Sequence, residues 1–305
     1  MIQRSFLTSL IASLAGFSMI SAELPADAEE SESPKTHEEQ ITDWRQRRHD
    51  RLSSDSGWLT LVGLEWLLEG ENRVGRSPSS TIKIAGGPVD WGTIHLEGDG
   101  LRFVPAQDSG ITVNDTEATE LMLVADNQGE PTVVRSGNLS FYVIFRESYA
   151  VRIKDTQAPA FQDFNGVKIY GFQPDWRFNA RFIPAEEGQT IQIANVLGQL
   201  SASPVYGFVE FERGGVNYRL LGLGDEKSES LWFLFADRTS GRETYGAGRF
   251  LYSDGMPKDG RVSIDFNKAY NPPCAFNEYS TCPLPPQQNR LDLAVTAGEK
   301  DYHSK

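Results

Sequence analysis

Histidine, cysteine and positive charge are all scarce in this sequence of 305 residues. It contains 4 His and 2 Cys, and 29 Lys and Arg stand against 42 Asp and Glu, so the formal net charge is −13. A molecule with this charge repels phosphate backbones and anionic membrane surfaces, which argues against nucleic acid as a partner. The four histidines are scattered without metal-ligand spacing, and we expect no metal site.

Standard catalytic motifs are also missing. The sequence has no Gly-x-Ser-x-Gly elbow, no His-Glu-x-x-His, no Walker loop and no Gly-x-Gly-x-x-Gly. The sequence therefore lacks the motifs typical of the common nucleophilic, zinc-dependent and nucleotide-dependent enzymes. We expect no cofactor, and whether the protein is an enzyme stays open at this point.

Long hydrophobic runs are confined to the N-terminus. Phe6–Ile20 follows Arg4 as an apolar stretch, and Ile20–Ala22 offers small residues for cleavage. This pattern is typical of a secretory signal peptide over residues 1–22, and it falls short of the ~20 apolar residues that a spanning helix needs. We expect an exported protein, periplasmic or extracellular, with no integral membrane association after signal cleavage.

The two cysteines lie close together in a chain that we expect to be exported. Cys274 and Cys282 are surrounded by prolines. Their compartment and proximity favour a mutual disulfide. The spacing differs from the Cys-x-x-Cys of redox pairs, and prolines in this tail exclude regular structure after Tyr270.

A flexible leader and a helix are predicted before the main body. Residues 23–35 are acidic and poor in large apolar side chains, which indicates a flexible acidic leader. Thr36 followed by Glu39 forms a capping-box pattern that predicts a helix over Thr36–Leu52, within an N-terminal segment 36–56.

From residue 57 the pattern changes to short apolar or alternating runs between turn signals. It predicts a β-sandwich over 57–155 and a second β domain over 156–305 with a proline-rich, disulfide-clipped tail. Within the second domain, Leu231–Phe235 is apolar on both faces and predicts a central strand. Gly214-Gly215 predicts a hairpin turn, and Tyr245–Tyr252 predicts a strand. The predicted fold class is mainly β, with two β-sandwich or barrel-like domains preceded by a short N-terminal helix.

Two groups of side chains admit a functional and a structural interpretation. The basic face of the predicted helix carries Arg45, Arg47, Arg48 and Arg51, and we interpret it as a solvated face rather than an anion site. We interpret Trp58 and Trp66 as core anchors rather than a binding platform.

Several long motifs identify a resemblance to a known family. The motifs are Gly57–Leu64 with Asn72-Arg73, Ala194–Gly198, Thr239–Phe250 and Asp265–Cys274. Their combination resembles the bacterial family catalogued as domain of unknown function 1684, over roughly residues 40–300. The resemblance implies no activity.

A second resemblance concerns the first β domain alone. Gly75–Ser77, Gly92–His95 and Ile111–Asp115 are similar in order and spacing to the forkhead-associated domain, a β-sandwich that binds phosphothreonine. Arg76 stands at that family's phosphate-binding position, but Gly92 replaces its Ser and Asp115 replaces its usual Gly. The resemblance implies the scaffold without the ligand.

Polar side chains are dense in the second β domain. The candidate catalytic residues are Asp265 or Glu243 as general base, Tyr245 or Tyr270 as acid, and Arg249 for oxyanion charge. The candidate ligand-binding residues are Arg242, Arg249, Asn267 and Asn271. In the alternative interpretation these residues form a structural network, in which Arg249 pairs with Asp265 and the asparagines bind carbonyls of the tail.

Two functions follow from this pattern. We predict an exported soluble β protein that binds a small polar or anionic molecule or an unidentified protein partner. The alternative is a metal-independent hydrolase or lyase that uses carboxylate, Tyr and Arg residues of the second domain.

Overall fold

The N-terminal helix begins at a reciprocal cap. The computed structural model describes residues 34–117 and 119–302, so the predicted signal peptide and most of the predicted leader lie outside the described residues. Helix α1 (His37–Leu52) follows Thr36, whose hydroxyl accepts the Glu39 N–H at 3.3 Å. The Glu39 carboxylate accepts the Thr36 N–H at 2.7 Å. The predicted capping box and helix are therefore confirmed.

The strands of the first half form two sheets. In chain order the strands are β1 (Leu61–Trp66), β2 (Gly70–Gly75), β3 (Ile82–Lys83), β4 (Gly92–Glu97), β5 (Gly100–Pro105), β6 (Thr112–Val113), β7 (Thr116–Glu117), β8 (Leu121–Met122), β9 (Val134–Ser136), β10 (Leu139–Arg146) and β11 (Ser148–Asp155). The first sheet has the order β1-β11-β10-β9-β6-β7 and the second has the order β3-β2-β4-β5-β8.

These two sheets share one hydrophobic core. Ile94 and Phe103 of the second sheet are fully buried in the same cluster as Phe141 and Val151 of the first. Phe103 and Phe141 meet edge to face, with ring centroids 5.7 Å apart. The first half is therefore a sandwich held by residues that alternate along each strand.

The second half contains a third sheet. Its strands are β12 (Arg177–Pro184), β13 (Thr190–Ala194), β14 (Leu200–Arg213), β15 (Val216–Leu223), β16 (Trp232–Phe235), β17 (Arg249–Tyr252) and β18 (Arg261–Asp265). Their order in the sheet is β17-β16-β15-β14-β12-β18, and β13 pairs with β14 outside this path. The helical segments between and after the strands are α2 (Pro159–Gln162) and short 3-10 turns at Trp58–Thr60, Pro174–Trp176, Phe266–Lys268, Pro273–Ala275 and Gln287–Asn289.

The third sheet is buried on both faces around β16. In β16, Phe233 belongs to one hydrophobic cluster and Leu234 to another, and Leu220 and Leu221 of β15 divide in the same way. The predicted central strand is confirmed, since β16 lies between β15 and β17. The mainly β fold class with its short N-terminal helix is also confirmed.

Glycines at turns explain why one of the predictions for the second half is confirmed and another is wrong. Gly214 and Gly215 have φ values of 60° and 77° and join β14 to β15, which confirms the predicted hairpin turn. The predicted strand Tyr245–Tyr252 is wrong in its first half, because β17 begins only at Arg249. Gly248, at φ 98°, donates its N–H to the Tyr245 carbonyl and closes a turn there. Its missing Cβ also admits the Phe235 carbonyl, which would lie 2.5 Å from a Cβ at that position.

Helix α1 packs on the second half of the chain. His37 Nε2 lies 2.6 Å from Asp265 Oδ2, and Arg48 Nε lies 2.9 Å from Glu299 Oε1. Arg45 donates to the Tyr170 carbonyl at 3.0 Å. The interpretation of the arginines as one solvated face is therefore wrong for Arg48, which is 8% exposed. Arg47 is exposed as expected.

A disulfide joins Cys274 and Cys282, as the sequence predicts. It clips the proline-rich tail, in which no strand occurs among residues 271–302. Within the described residues, no helix combines the length and the apolar character that crossing a membrane requires.

Candidate functional site

A cavity of 590 Å³ lies between α1 and the ends of β17 and β18. Helix α1 supplies one wall because residues spaced by three and four share a helix face. The lining consists of Trp44, Arg48, Arg51 and Leu52 from α1, Ser54, Ser56, Gly57 and Trp58 after it, Tyr252 at the end of β17 with Ser253 and Asp254 after it, and Lys268 and Tyr270 after β18. We call this space the helix cavity.

Aromatic rings form a platform at the helix cavity. The rings of Tyr252 and Tyr270 are stacked at 6.2 Å with an interplanar angle of 14°. Trp232 also stacks on Tyr252, at 6.2 Å and 17°. Trp44 lies 6.3 Å from Tyr270. Tyr252 keeps 46% of its surface exposed, so this platform still offers a ring to a ligand.

The charges around the helix cavity are mostly positive. Arg48, Arg51 and Lys268 line it together with one acid, Asp254. Asp254 already binds Lys268 at 2.5 Å and Arg177 at 3.5 Å. The Arg48 guanidinium lies 4.8 Å from the centre of the Tyr270 ring and is held there by Glu299. A cationic, partly aromatic cavity in a protein of net charge −13 is a local reversal of sign.

Tyr270 is the predicted catalytic residue that the structure places in this cavity. Burial raises the pKa of its phenol well above the ordinary value, and the nearby Tyr252 adds to the shift. Burial likewise raises the pKa of the Tyr245 phenol. General acids work best with a pKa near the operating pH, so both phenols are better suited to donate a hydrogen bond than to transfer a proton.

Arg249 lies in a buried network rather than at a cavity wall. The side chains of Arg249 and its partner Asp237 are 0% and 1% exposed, and Arg249 Nη2 lies 2.9 Å from Asp237 Oδ2. Arg249 also donates to the carbonyls of Val295, Ala297 and Glu299 at 2.6–3.1 Å. The expected pair of Arg249 with Asp265 is therefore replaced by a pair with Asp237, which precedes the turn that β17 follows.

Asp265, Asn267 and Asn271 bind protein groups as well. Asp265 accepts from the N–H and side chain of Asn267 and faces His37. Asn267 donates to the Gln173 carbonyl at 2.8 Å and lines a second cavity of 340 Å³ that α1 also bounds. Asn271 donates to the Lys300 carbonyl at 2.7 Å, in line with the structural alternative for this residue.

The remaining candidates lie on the turn before β17. Arg242 and Glu243 are exposed, and the Glu243 carboxylate accepts the Tyr170 hydroxyl at 3.0 Å. The Tyr245 hydroxyl donates to the Cys274 carbonyl at 3.1 Å. The Asp265 carboxylate is 1% exposed and binds His37 and Asn267.

The cavity residues that sequence reasoning missed come from four separate segments. The sequence signal for Trp44, Arg48 and Arg51 is their helical spacing, which places them on one face of an amphipathic helix. Trp58 packs against the hydrophobic cluster of Leu52 and Leu59, as predicted for a core anchor, but it is only half-buried and also lines the helix cavity. Trp66 is half-buried as well. No local signal connects them with Tyr252 and Lys268. Within the described residues, no cluster of three or more His, Cys, Asp or Glu is placed to hold a metal ion.

Fold and cavity together define a mainly β protein in which an N-terminal helix closes a cationic, aromatic cavity. Residues 162–300 match the model of the family described as "Protein of unknown function (DUF1684)". This match supports the assignment of the second half of the chain to that family.

Two solved structures are similar to parts of the chain. The first is the solution NMR structure of an uncharacterized protein of Haloarcula marismortui, 30% identical, covering 46% of this chain and 78% of that chain with a TM-score of 0.39. The second comes from an analysis of phosphothreonine-dependent FHA domain interactions, 20% identical, covering 31% of this chain and 96% of that chain with a TM-score of 0.22. No curated protein matches the chain.

Proposed function

We propose that this protein binds a small anionic molecule with a planar or ring-shaped body in the helix cavity. The observation that carries the proposal is the pairing of an exposed aromatic platform with an excess of positive charge in one space of 590 Å³. A stacked ring binds the face of a planar ligand, and guanidinium groups bind its oxyanion.

Each part of the cavity has a separate task in this proposal. Tyr252 offers its exposed ring to the body of the ligand. Arg51 is exposed at the rim, where it can attract and contact an anion. Arg48 is paired with Glu299, so its contribution is to hold a guanidinium plane over the Tyr270 ring and keep that ring in place.

The proposal favours binding over catalysis for a geometric reason. The groups named as a possible base and oxyanion clamp, Asp265 and Arg249, are buried and hydrogen-bonded to protein atoms. A substrate would have to displace those partners before either group could act on it.

We also propose that the protein acts after export. The disulfide between Cys274 and Cys282 supports this proposal, because disulfides persist in oxidising compartments. Intact-mass measurement of the protein from an exporting host tests it: a mass without residues 1–22 is expected, and retention of the whole chain in the cytoplasm would contradict it.

Binding can be measured with simple probes. We expect benzoate to bind, detected by calorimetry and tryptophan fluorescence, and the neutral isostere benzamide to bind at least about 10-fold more weakly, since one charge-assisted hydrogen bond is worth that factor. Native mass spectrometry of the purified protein, followed by denaturation, is expected to release a retained small molecule.

Matched variants localise the binding. Arg51→Gln and Tyr252→Leu should each weaken benzoate binding several-fold. Arg47→Gln, an exposed arginine on the same helix outside the cavity lining, is the control and should leave binding unchanged. Equal affinities in the Arg51 and Arg47 variants, or equal binding of benzoate and benzamide, would contradict the proposal.

A further inference from the structure

Arg152 is a buried arginine without a carboxylate partner among the described residues. It lies on β11 between the core residues Val151 and Ile153, so its side chain points away from the sandwich core. Only 4% of Arg152 is exposed. Burying an unpaired charge is costly, and arginine does not escape the cost by losing its proton.

The other buried arginines of the described structure are paired. Arg48 binds Glu299 and Arg249 binds Asp237, both at 2.9 Å. Arg152 instead donates to two hydroxyl oxygens, that of Thr281 at 3.1 Å and that of Tyr142 at 3.5 Å. Its Nε is buried and has no protein acceptor. A guanidinium with this environment still has the capacity to bind an oxyanion through its planar edge.

A cavity adjoins this guanidinium. Its volume is 180 Å³, and its lining includes Arg146, Arg152, Trp58, Trp232, Ser280 and Thr281. It shares Trp58 with the lining of the helix cavity and is otherwise built from different residues. Because Thr281 accepts its hydrogen bond from Arg152, its own hydroxyl proton is available to a ligand in this space.

Neighbouring side chains add positive charge. Lys154 lies two residues from Arg152 on the same face of β11, and burial together with the Arg152 charge lowers the pKa of Lys154 to about 8. Arg146 lines the cavity and is already neutralised by Asp126, at 2.8 and 3.1 Å. The positive charge without a carboxylate partner among the described residues is therefore centred on Arg152 and Lys154.

We infer that Arg152 binds a small oxyanion, a carboxylate, sulfate or phosphate group, in the 180 Å³ cavity where the first sheet meets the disulfide-clipped tail. The anion completes the coordination of Nε, accepts the Thr281 hydroxyl proton and supplies the charge that Arg152 lacks. This site is distinct from the helix cavity and does not depend on the function proposed for that cavity.

The test uses inorganic probes on the full chain. Sulfate, phosphate and acetate are titrated against chloride at constant ionic strength, while thermal unfolding and the NMR signal of the Arg152 Nε–H group are followed. A saturable shift with at least one oxyanion and a stoichiometry of one is expected. Saturation by acetate alone identifies a carboxylate site, and saturation by sulfate or phosphate identifies a tetrahedral-anion site.

Variants separate the site from general salt effects. Arg152→Met should weaken the oxyanion at least about 10-fold, and Thr281→Val should weaken it to a smaller degree. Arg135→Met, a partly exposed arginine paired with Asp115, is the control and should change the affinity less than about 2-fold. The NMR titration of the unaltered protein decides the question even if Arg152→Met does not fold. An unchanged Arg152 Nε–H signal in all three anions, or full oxyanion affinity in Arg152→Met, would overturn the inference.

Discussion

Arg48 and Glu299 form a buried ion pair at 2.9 Å that fastens the N-terminal helix to the last residues of the described structure. The second Glu299 oxygen accepts the Asn271 N–H at 2.7 Å. Glu299→Gln removes the negative charge. It also leaves one acceptor oxygen in place of two, although both Arg48 Nε and the Asn271 N–H donate to this side chain. Because breaking a buried pair leaves the other charge uncompensated, we expect the free energy of unfolding to fall by about 3 kcal/mol in urea denaturation. Glu187→Gln, on an exposed loop, should stay within about 0.5 kcal/mol.

Arg249 provides a direct test of the structural alternative. Arg249→Met removes the partner of Asp237 and the donor to three carbonyls, so we expect a loss of about 3–5 kcal/mol in unfolding free energy. Arg242→Met, a few residues earlier and exposed, should cost less than about 0.5 kcal/mol. A stable Arg249→Met protein would show that the buried arginine is retained for another purpose.

Lys154 predicts a specific pH dependence. Its pKa is lowered to about 8 in the folded state, so the folded protein holds this proton less well than the unfolded chain does. The resulting penalty is fully present below pH 8 and disappears as the pH rises toward the unfolded pKa of about 10.4. Relative to Lys154→Met, the wild-type protein should therefore gain about 2–3 kcal/mol between pH 7 and pH 10.5.

This pH difference is measured by urea unfolding of both proteins in chloride buffers, which avoids filling the proposed oxyanion site. A flat difference between the two proteins over this range would show that Lys154 is not desolvated as the structure indicates.

The disulfide should stabilise the tail by a modest amount. Closing a loop between cysteines 8 residues apart is worth ~2.5 kcal/mol on the chain-entropy model, and the adjacent prolines reduce this by stiffening the unfolded chain. We expect reductant to lower the free energy of unfolding by about 2 kcal/mol. The Cys274→Ala/Cys282→Ala double variant should be insensitive to reductant, and an effect of reductant on that variant would point to another cause.

Local rules predicted the elements whose causes are local. The Thr36–Glu39 box, the Gly214-Gly215 hairpin and the two-sided apolar run of β16 each depend on neighbours within a few residues. The strand prediction failed at Tyr245, where Gly248 closes a turn against the Phe235 carbonyl, a contact with a residue 13 positions earlier.

The candidate site was harder to predict because its parts are distant in sequence. The excess of polar residues between 242 and 271 is visible in the sequence, but most of these side chains bind one another or the tail. The sequence predicts a solvated Arg48 because nothing near residue 48 shows that Glu299 faces it. The sequence does not predict that Tyr252 is exposed. The alternation of side chains along β17 does not show which face of this strand helix α1 leaves uncovered.

The long reach of the α1 contacts has a consequence for the order of folding. His37 and Asp265 are 228 residues apart and Arg48 and Glu299 are 251 apart, so the helix cannot dock before nearly the whole chain is available. A free helix of 16 residues is marginal in water. The first element in the described chain is therefore among the last to reach its final place, and the rate of folding should be limited by contacts of such wide separation.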